Sequence, residues 1–134
     1  VRKYEEIGTH PAANYLAIGE ALTFHQSLGS ERKEARLRYL RDYWANALLE
    51  HDRFRLHTSK NPEFSCGIGN IQLEGVDSGA LNQWLWNEHK IISVAIKHPQ
   101  FEGLRVTSSV YTLLEELDRF VDAMLHAARY GISA

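Results

Sequence analysis

An arginine inside an apolar segment is the residue whose type and position most directly indicate chemistry in this chain. Arg105 follows Gly103-Leu104 and precedes Val106-Thr107, which is the pattern of a short strand. Burial of a guanidinium is unfavourable unless an anion pairs with it. Its planar fork fits a carboxylate, through two parallel hydrogen bonds of about 1.5–3 kcal/mol each. The alternative is a structural arginine on an edge strand, paired with Glu102 or Glu116.

The segments around this arginine and near the start of the chain carry a resemblance to a known family. A threonine and an acidic Glu-Glu-Leu-Asp helix start follow Arg105 at residues 112–118, and Gly8-Thr9-His10-Pro11 precedes a helix-like apolar run. Together these segments resemble the end of the class V aminotransferases, fold-type I enzymes that use pyridoxal phosphate (PLP). Nearly the whole chain supports the resemblance, and the isopenicillin N epimerase-like branch is the most similar.

The resemblance implies roles for four residues. Arg105 would hold the α-carboxylate of an amino-acid substrate, and His98 would contact the substrate from a loop facing the site. Gly8 and Thr9 would approach the cofactor phosphate of the partner subunit across a dimer interface. The chemistry is reasonable, because glycine lets backbone N–H groups come close and a hydroxyl adds a donor. From the residues alone, a simple helix entry is the better interpretation of Gly8 to Pro11, with Thr9 as the cap and Pro11 in the first turn.

The family's lysine, which forms the imine with PLP, lies in a large domain that precedes the matching segment. The resemblance therefore predicts that this chain is the C-terminal small domain of a homodimeric enzyme, with no catalytic residue and no covalent PLP of its own. Lys90 and Lys97 are alternative imine lysines. Such a lysine needs a desolvated pocket and a partner for the pyridine nitrogen, and the sequence shows neither. A start of the chain at Val1 rather than Met leads us to expect either an upstream segment or a processed chain.

Cys66 bears on the choice within the family. Desulfurase-like members carry a nucleophilic cysteine in the loop shortly before the arginine strand, whereas residues 97–100 contain none. Cys66 lies instead in a predicted strand, where a thiol usually serves as a small core side chain. A desulfurase is therefore disfavoured.

Composition excludes several other classes of protein. The formal net charge of −2 over 134 residues gives no basis for binding nucleic acid or an anionic membrane, and the apolar runs are too short to span a bilayer. One cysteine rules out an internal disulfide, and the seven histidines show no metal-ligand spacing. We expect a cytoplasmic location, no metal and no membrane.

Apolar periodicity predicts two helices, two strands, a helix, two strands and a closing helix. This order is typical of an α+β domain with helices on one face of a small, mainly antiparallel sheet. We expect a single domain over 1–134, with the two helices in 1–50 and the strand-rich part in 51–134. Strands are predicted at 54–58, 65–73 and 91–96, followed by a loop over 97–102. Thr112 and Glu115 are expected to form a capping box.

Basic residues on the second helix, namely Arg32, Lys33, Arg36, Arg38 and Arg41, have acidic neighbours and are expected to form a solvated face rather than a nucleic-acid stripe. An interpretation from a different functional class also stays open. The chain would then be a stand-alone α+β binding or dimerisation module without catalysis.

Overall fold

A computed structural model describes Gly8 and residues 11–132, and it divides the chain into two compact units, residues 1–33 and 34–134. The first unit contains helix α1 (Ala12–Leu28) and the start of the next helix. Gly29 ends α1 with a φ of 82° and donates its N–H to the carbonyl of Gln26. No residue of α1 is buried.

The second unit begins within helix α2 (Ser30–Leu49). It continues with β1 (Phe54–Leu56), β2 (Ile68–Leu73), α3 (Ser78–His89), β3 (Val94–His98), β4 (Phe101–Thr107) and α4 (Leu114–Tyr130). The predicted order of helices and strands is confirmed.

The strands form one antiparallel sheet in the order β1-β2-β4-β3, which confirms an α+β fold. Gly69, Ile71 and Leu73 of β2 are buried and alternate with more accessible residues, as expected of a sheet with one covered face. The buried side chains of α2, α3 and α4 form a core with the covered face. We call the other side of the sheet the open face; from β2 it carries Ile68, Asn70 and Gln72.

Trp44 is the centre of the core. It is fully buried, and its ring meets that of Phe120 edge-on at a centroid distance of 5.8 Å. Gly69 allows α2 to come this close to β2, because a Cβ atom at that position would lie 2.7 Å from the Cζ2 atom of Trp44.

Two strand boundaries differ from the prediction in the region before Arg105. β3 begins at Val94, because residues before it complete the end of α3. Lys90 adopts a left-handed conformation, and the N–H of Ile91 bonds to the carbonyl of Leu85. The predicted loop over 97–102 is a tight hairpin turn, since β3 runs to His98 and β4 starts at Phe101.

Other local predictions also need correction. The first strand ends at Leu56, and Cys66 lies in the loop before β2 rather than inside it. Leu113, not Thr112, precedes α4, and its N–H bonds to Glu116 Oε2 at 2.9 Å. Thr112 Oγ1 instead accepts the N–H of Ser109 at 2.9 Å, so it is engaged in the preceding turn.

The basic side of α2 is only partly solvated, because three of its arginines bind loop backbone. Arg41 is 1% exposed; its guanidinium donates to Asp42 Oδ1, Ser65 Oγ and the carbonyl of Cys66. Arg38 donates to the carbonyl of Pro62 at 2.7 Å, and Arg36 to that of Thr112 at 3.1 Å. The expectation of a solvated face is therefore wrong for Arg41, which anchors the segment before β2.

Candidate functional site

Arg105 lies on the open face of the sheet, on a strand with neighbours on both sides. Its Cα partners are Asn70 on β2 and Val94 on β3. Because directly opposed residues point to the same side of a pleated sheet, these three side chains share the open face. The two flanking ladders hold the backbone of Arg105, while its side chain is exposed.

The guanidinium of Arg105 has no hydrogen bond and no ion pair with any residue that the structure describes. Glu102 accepts instead from Gln72 Nε2 at 3.4 Å, and Glu116 accepts the N–H of Leu113. β4 is an internal strand. The alternative of an edge-strand arginine paired with Glu102 or Glu116 is therefore wrong. Among the described residues, the exposed guanidinium of Arg105 therefore keeps its hydrogen-bond donors unused.

Asn70 is the residue beside Arg105 that the sequence analysis missed. Both polar atoms of its side-chain amide are buried, and neither has a hydrogen-bond partner in the described chain. Its backbone is held by the segment that follows β1: its N–H bonds to Thr58 Oγ1 at 2.8 Å, and its carbonyl accepts the N–H of His57 at 2.9 Å. In the sequence, Asn70 is one of several polar residues alternating along a strand, and only the pairing of β2 with β4 places it opposite Arg105.

His98 lies at the end of β3, opposite Phe101, and lines a cavity of about 340 Å³ together with His57 and Gln72. Its Nδ1 accepts the N–H of Gln100 at 3.2 Å, so its Nε2 is left to carry the proton when the ring is neutral. Arg105 lies four residue steps beyond Phe101 along β4, which is a distance of about 13 Å. The structure thus does not bring His98 and Arg105 together in one pocket.

Gly8 is exposed with a φ of 114°, and a Cβ atom there would meet no atom within 4 Å. Its left-handed conformation explains the need for glycine. Thr9, the other residue expected near the cofactor phosphate, lies outside the described residues.

Neither of the alternative imine lysines occupies a desolvated pocket. Lys97 is exposed and pairs with Asp77, whose hydrogen bond and negative charge raise the pKa of Lys97 above its ordinary value. Lys90 is exposed, donates to the carbonyl of Asn87 at 2.9 Å and lies over the ring of Trp86. A raised pKa favours the ammonium form, whereas imine formation needs the neutral amine.

Gly8 and residues 11–132 contain no group of three or more His, Cys, Asp or Glu side chains that could hold a metal ion. Every helix within this part of the chain is too short or too polar to cross a lipid bilayer.

Two curated proteins are similar in sequence to this chain. Over 125 residues it is 32% identical to an isopenicillin N epimerase of Streptomyces clavuligerus. The match covers 92% of this chain. The chain is similar to one segment of this epimerase.

A second isopenicillin N epimerase, from Amycolatopsis lactamdurans, is 26% identical over 125 residues. The chain spans 31% of the length of each of these epimerases. No protein-family model matches it. The expected resemblance to the isopenicillin N epimerases is confirmed, and the relatives are about three times as long as the matching segment.

Proposed function

We propose that this chain is the C-terminal small domain of a longer PLP-dependent enzyme of the class V aminotransferase type. The enzyme would carry out epimerase, aminotransferase or lyase chemistry on an amino-acid substrate. Within it, Arg105 binds the substrate carboxylate. The observation that carries this proposal is the exposed Arg105 guanidinium, which lies on an internal strand and has no partner among the described residues.

The geometry of Arg105 suits a ligand-binding role better than a structural one. Its Cα is held by two flanking strands, so the base of the side chain is fixed in place. Its donors are free, and the open face gives a ligand access to them. A bidentate carboxylate would fix the orientation of the substrate, and correct orientation is one of the main contributions of a protein to catalysis.

PLP, when bound, delocalises the electron pair left at the substrate Cα. Lys90 and Lys97 are exposed and hold other partners, so they do not fit the imine-forming role, and we place that lysine in a large domain of the longer protein. This chain is then inactive alone. Gly8 and Thr9 help to hold the cofactor phosphate of the other subunit in a homodimer, and the exposed, left-handed Gly8 leaves its backbone open to such an approach. His98 contacts a part of the substrate remote from its carboxylate.

Helix α1 supports the presence of additional protein. Leu16, Ile18 and Phe24 are 74%, 57% and 61% exposed, and every residue from 11 to 27 is exposed. A helix that is apolar on several sides is normally buried, because exposing so many apolar side chains to water is unfavourable. In the proposed enzyme, the large domain covers this helix.

Titration of the chain with acetate and N-acetylalanine, followed by NMR, tests the role of Arg105. Arg105→Lys should weaken carboxylate binding roughly tenfold or more, because losing one charge-assisted hydrogen bond costs about 1.5–3 kcal/mol. Thermal unfolding should be unchanged. Arg55→Lys is the matched control, since Arg55 also projects from an exposed strand position but is already paired with Glu74 at 2.7 Å. Equal carboxylate affinity in wild type and Arg105→Lys would refute the clamp.

The location of the imine lysine has its own test. The chain is incubated with PLP, any imine is reduced with borohydride, and the intact mass and the modified site are read by mass spectrometry. Scattered trace labelling agrees with a lysine located elsewhere. Stoichiometric labelling of Lys90 or Lys97 would show instead that this chain forms the imine itself.

A further inference from the structure

The amide of Asn70 is a second polar group on the open face whose hydrogen-bonding capacity is unused. A buried amide with neither donor nor acceptor satisfied is unfavourable, and most buried polar groups in folded proteins are paired. Gln72, two residues along the same strand and on the same face, shows the ordinary arrangement. Its Oε1 lies 2.8 Å from His57 Nε2, and its Nε2 donates to Glu102 Oε1 at 3.4 Å. Two amides on the same strand and face thus differ: Gln72 is hydrogen-bonded, whereas Asn70 has no partner in the described chain.

Gly103 creates the space that the amide occupies. A Cβ atom on Gly103 would lie 2.5 Å from Asn70 Oδ1 and 2.7 Å from the carbonyl oxygen of Ile71. A side chain at position 103 would clash with the Asn70 amide and displace it from this place. The backbone of Asn70 is held by its bonds to Thr58 Oγ1 and to the N–H of His57, so the side chain starts from a fixed point.

Asn70 lies close enough to Arg105 for the two side chains to bind the same ligand. The two residues are direct Cα partners in an antiparallel pair, so their Cβ atoms are about 4.5–5.5 Å apart and their side chains share a face. An ionised carboxylate accepts at about four lone-pair sites, of which a bidentate arginine uses two. A neighbouring amide N–H can use a third.

We infer that Asn70 is a second ligand of the substrate carboxylate, donating its side-chain N–H beside the Arg105 guanidinium, with Gly103 keeping the space for that amide open. This inference rests on the proposed function, since it adds a donor to the same carboxylate site. The ligand is a carboxylate, whose negative charge suits the guanidinium and whose extra lone pair suits the amide. The Arg105 side chain is exposed and has no partner among the described residues, so no contact in that part of the chain holds it away from a ligand shared with Asn70.

Exchange of the amide for an isosteric carboxylate provides the test. Asn70→Asp places a negative charge beside Arg105, which repels the ligand carboxylate and pairs with the guanidinium. Gln72→Glu is the matched control, because it makes the same chemical change on the same strand and the same face. Both variants and the wild type are titrated with acetate while the side-chain NH₂ signals of Asn70 and Gln72 and the Nε–H signal of Arg105 are followed by NMR.

In the wild type, acetate should shift the Asn70 NH₂ and Arg105 Nε–H signals with one common dissociation constant, and the Gln72 signals should shift least. Asn70→Asp should weaken acetate binding at least tenfold, whereas Gln72→Glu should change it less than threefold. Circular dichroism and thermal unfolding report whether each variant is folded. Asn70→Ser is the second variant if Asn70→Asp fails to fold, and it should weaken binding severalfold by removing the amide donor without adding a charge.

The outcomes separate the inference from the function on which it rests. Arg105 signals that respond to acetate while Asn70 signals stay unchanged would overturn the role of Asn70 and leave the Arg105 clamp standing. The same conclusion follows if Asn70→Asp and Gln72→Glu bind acetate equally well. No response at either residue would overturn both.

Discussion

Gly69→Ala tests whether close packing of α2 on β2 controls the stability of the second unit. The added Cβ would lie 2.7 Å from Trp44 Cζ2 and 2.8 Å from Cη2, well inside the 3.4 Å at which ordinary contact begins. The ring cannot move away freely, because Trp44 is fully buried and packs edge-on against Phe120. Without a clash, alanine in a strand would be favoured over glycine by about 0.5–1 kcal/mol. Overpacking of a core costs about 1–3 kcal/mol, so we expect net destabilisation.

Urea unfolding followed by circular dichroism measures this effect. With a urea dependence of about 1–3 kcal/mol per molar, the midpoint should fall by roughly 1 M. The control is Trp44→Phe, which removes the ring atoms that the added Cβ would touch and also an indole N–H that has no partner in the described chain. In that background Gly69→Ala should cost at least about 0.5 kcal/mol less, which is the coupling expected of residues in contact. The same cost in both backgrounds would refute the packing argument.

The remaining predictions concern buried and exposed polar groups. Arg41→Ala should lower the free energy of unfolding by roughly 3 kcal/mol, because a buried guanidinium is lost and the carbonyl of Cys66 loses its donor. The control is Arg55→Ala, which breaks an exposed ion pair and should lower the free energy of unfolding by less than about 1 kcal/mol in the same urea assay. Asn70→Leu should raise the free energy of unfolding by about 1 kcal/mol or more, because it removes an amide without a partner among the described residues. Gln72→Leu breaks two hydrogen bonds and should not raise it. Equal effects of the two substitutions would show that the Asn70 amide is hydrogen-bonded in solution. The pKa of Asp77 is lowered by its hydrogen bonds from Lys97 and the N–H of Ala80, so its stabilising effect is present above the ordinary value of 3.8 and is lost as the pH falls through the lowered pKa. Asp77→Asn, which keeps an N-cap side chain, should therefore show a smaller loss of melting temperature than the wild type as the pH falls below about 3.8, and an identical acid profile would refute the ion pair.

Local signals in the sequence were sufficient for the order of the elements and for several of their ends. Apolar spacing identified all the helices and strands in their correct order. Asp77 caps α3 through a bond from the N–H of Ala80, and Gly29 ends α1; both are residue types that favour these positions. These features depend on neighbours within a few residues, so the information for them lies in short segments of sequence.

Predictions were wrong where a residue can occupy more than one kind of local structure or choose among several hydrogen-bond partners. Ile91 was assigned to a strand on composition, yet it completes the end of α3 through its bond to Leu85. Arg41 was assigned to a solvated face, yet it anchors a distant loop. The partner of a backbone N–H or of a guanidinium is chosen by the packed fold, since competing local partners differ by only about 1 kcal/mol.

The sequence by itself singled out Arg105 as the candidate anion-binding residue and indicated a resemblance to an enzyme family. Only the tertiary structure decided that β4 is an internal strand, that Arg105 has no partner in the described chain, and that Asn70 lies directly across from it. Residues 70 and 105 are far apart in the chain, and their pairing depends on which strands become neighbours. That choice is made by burial of the shared core, to which every element of the second unit except β3 contributes a buried side chain, and no local pattern encodes it.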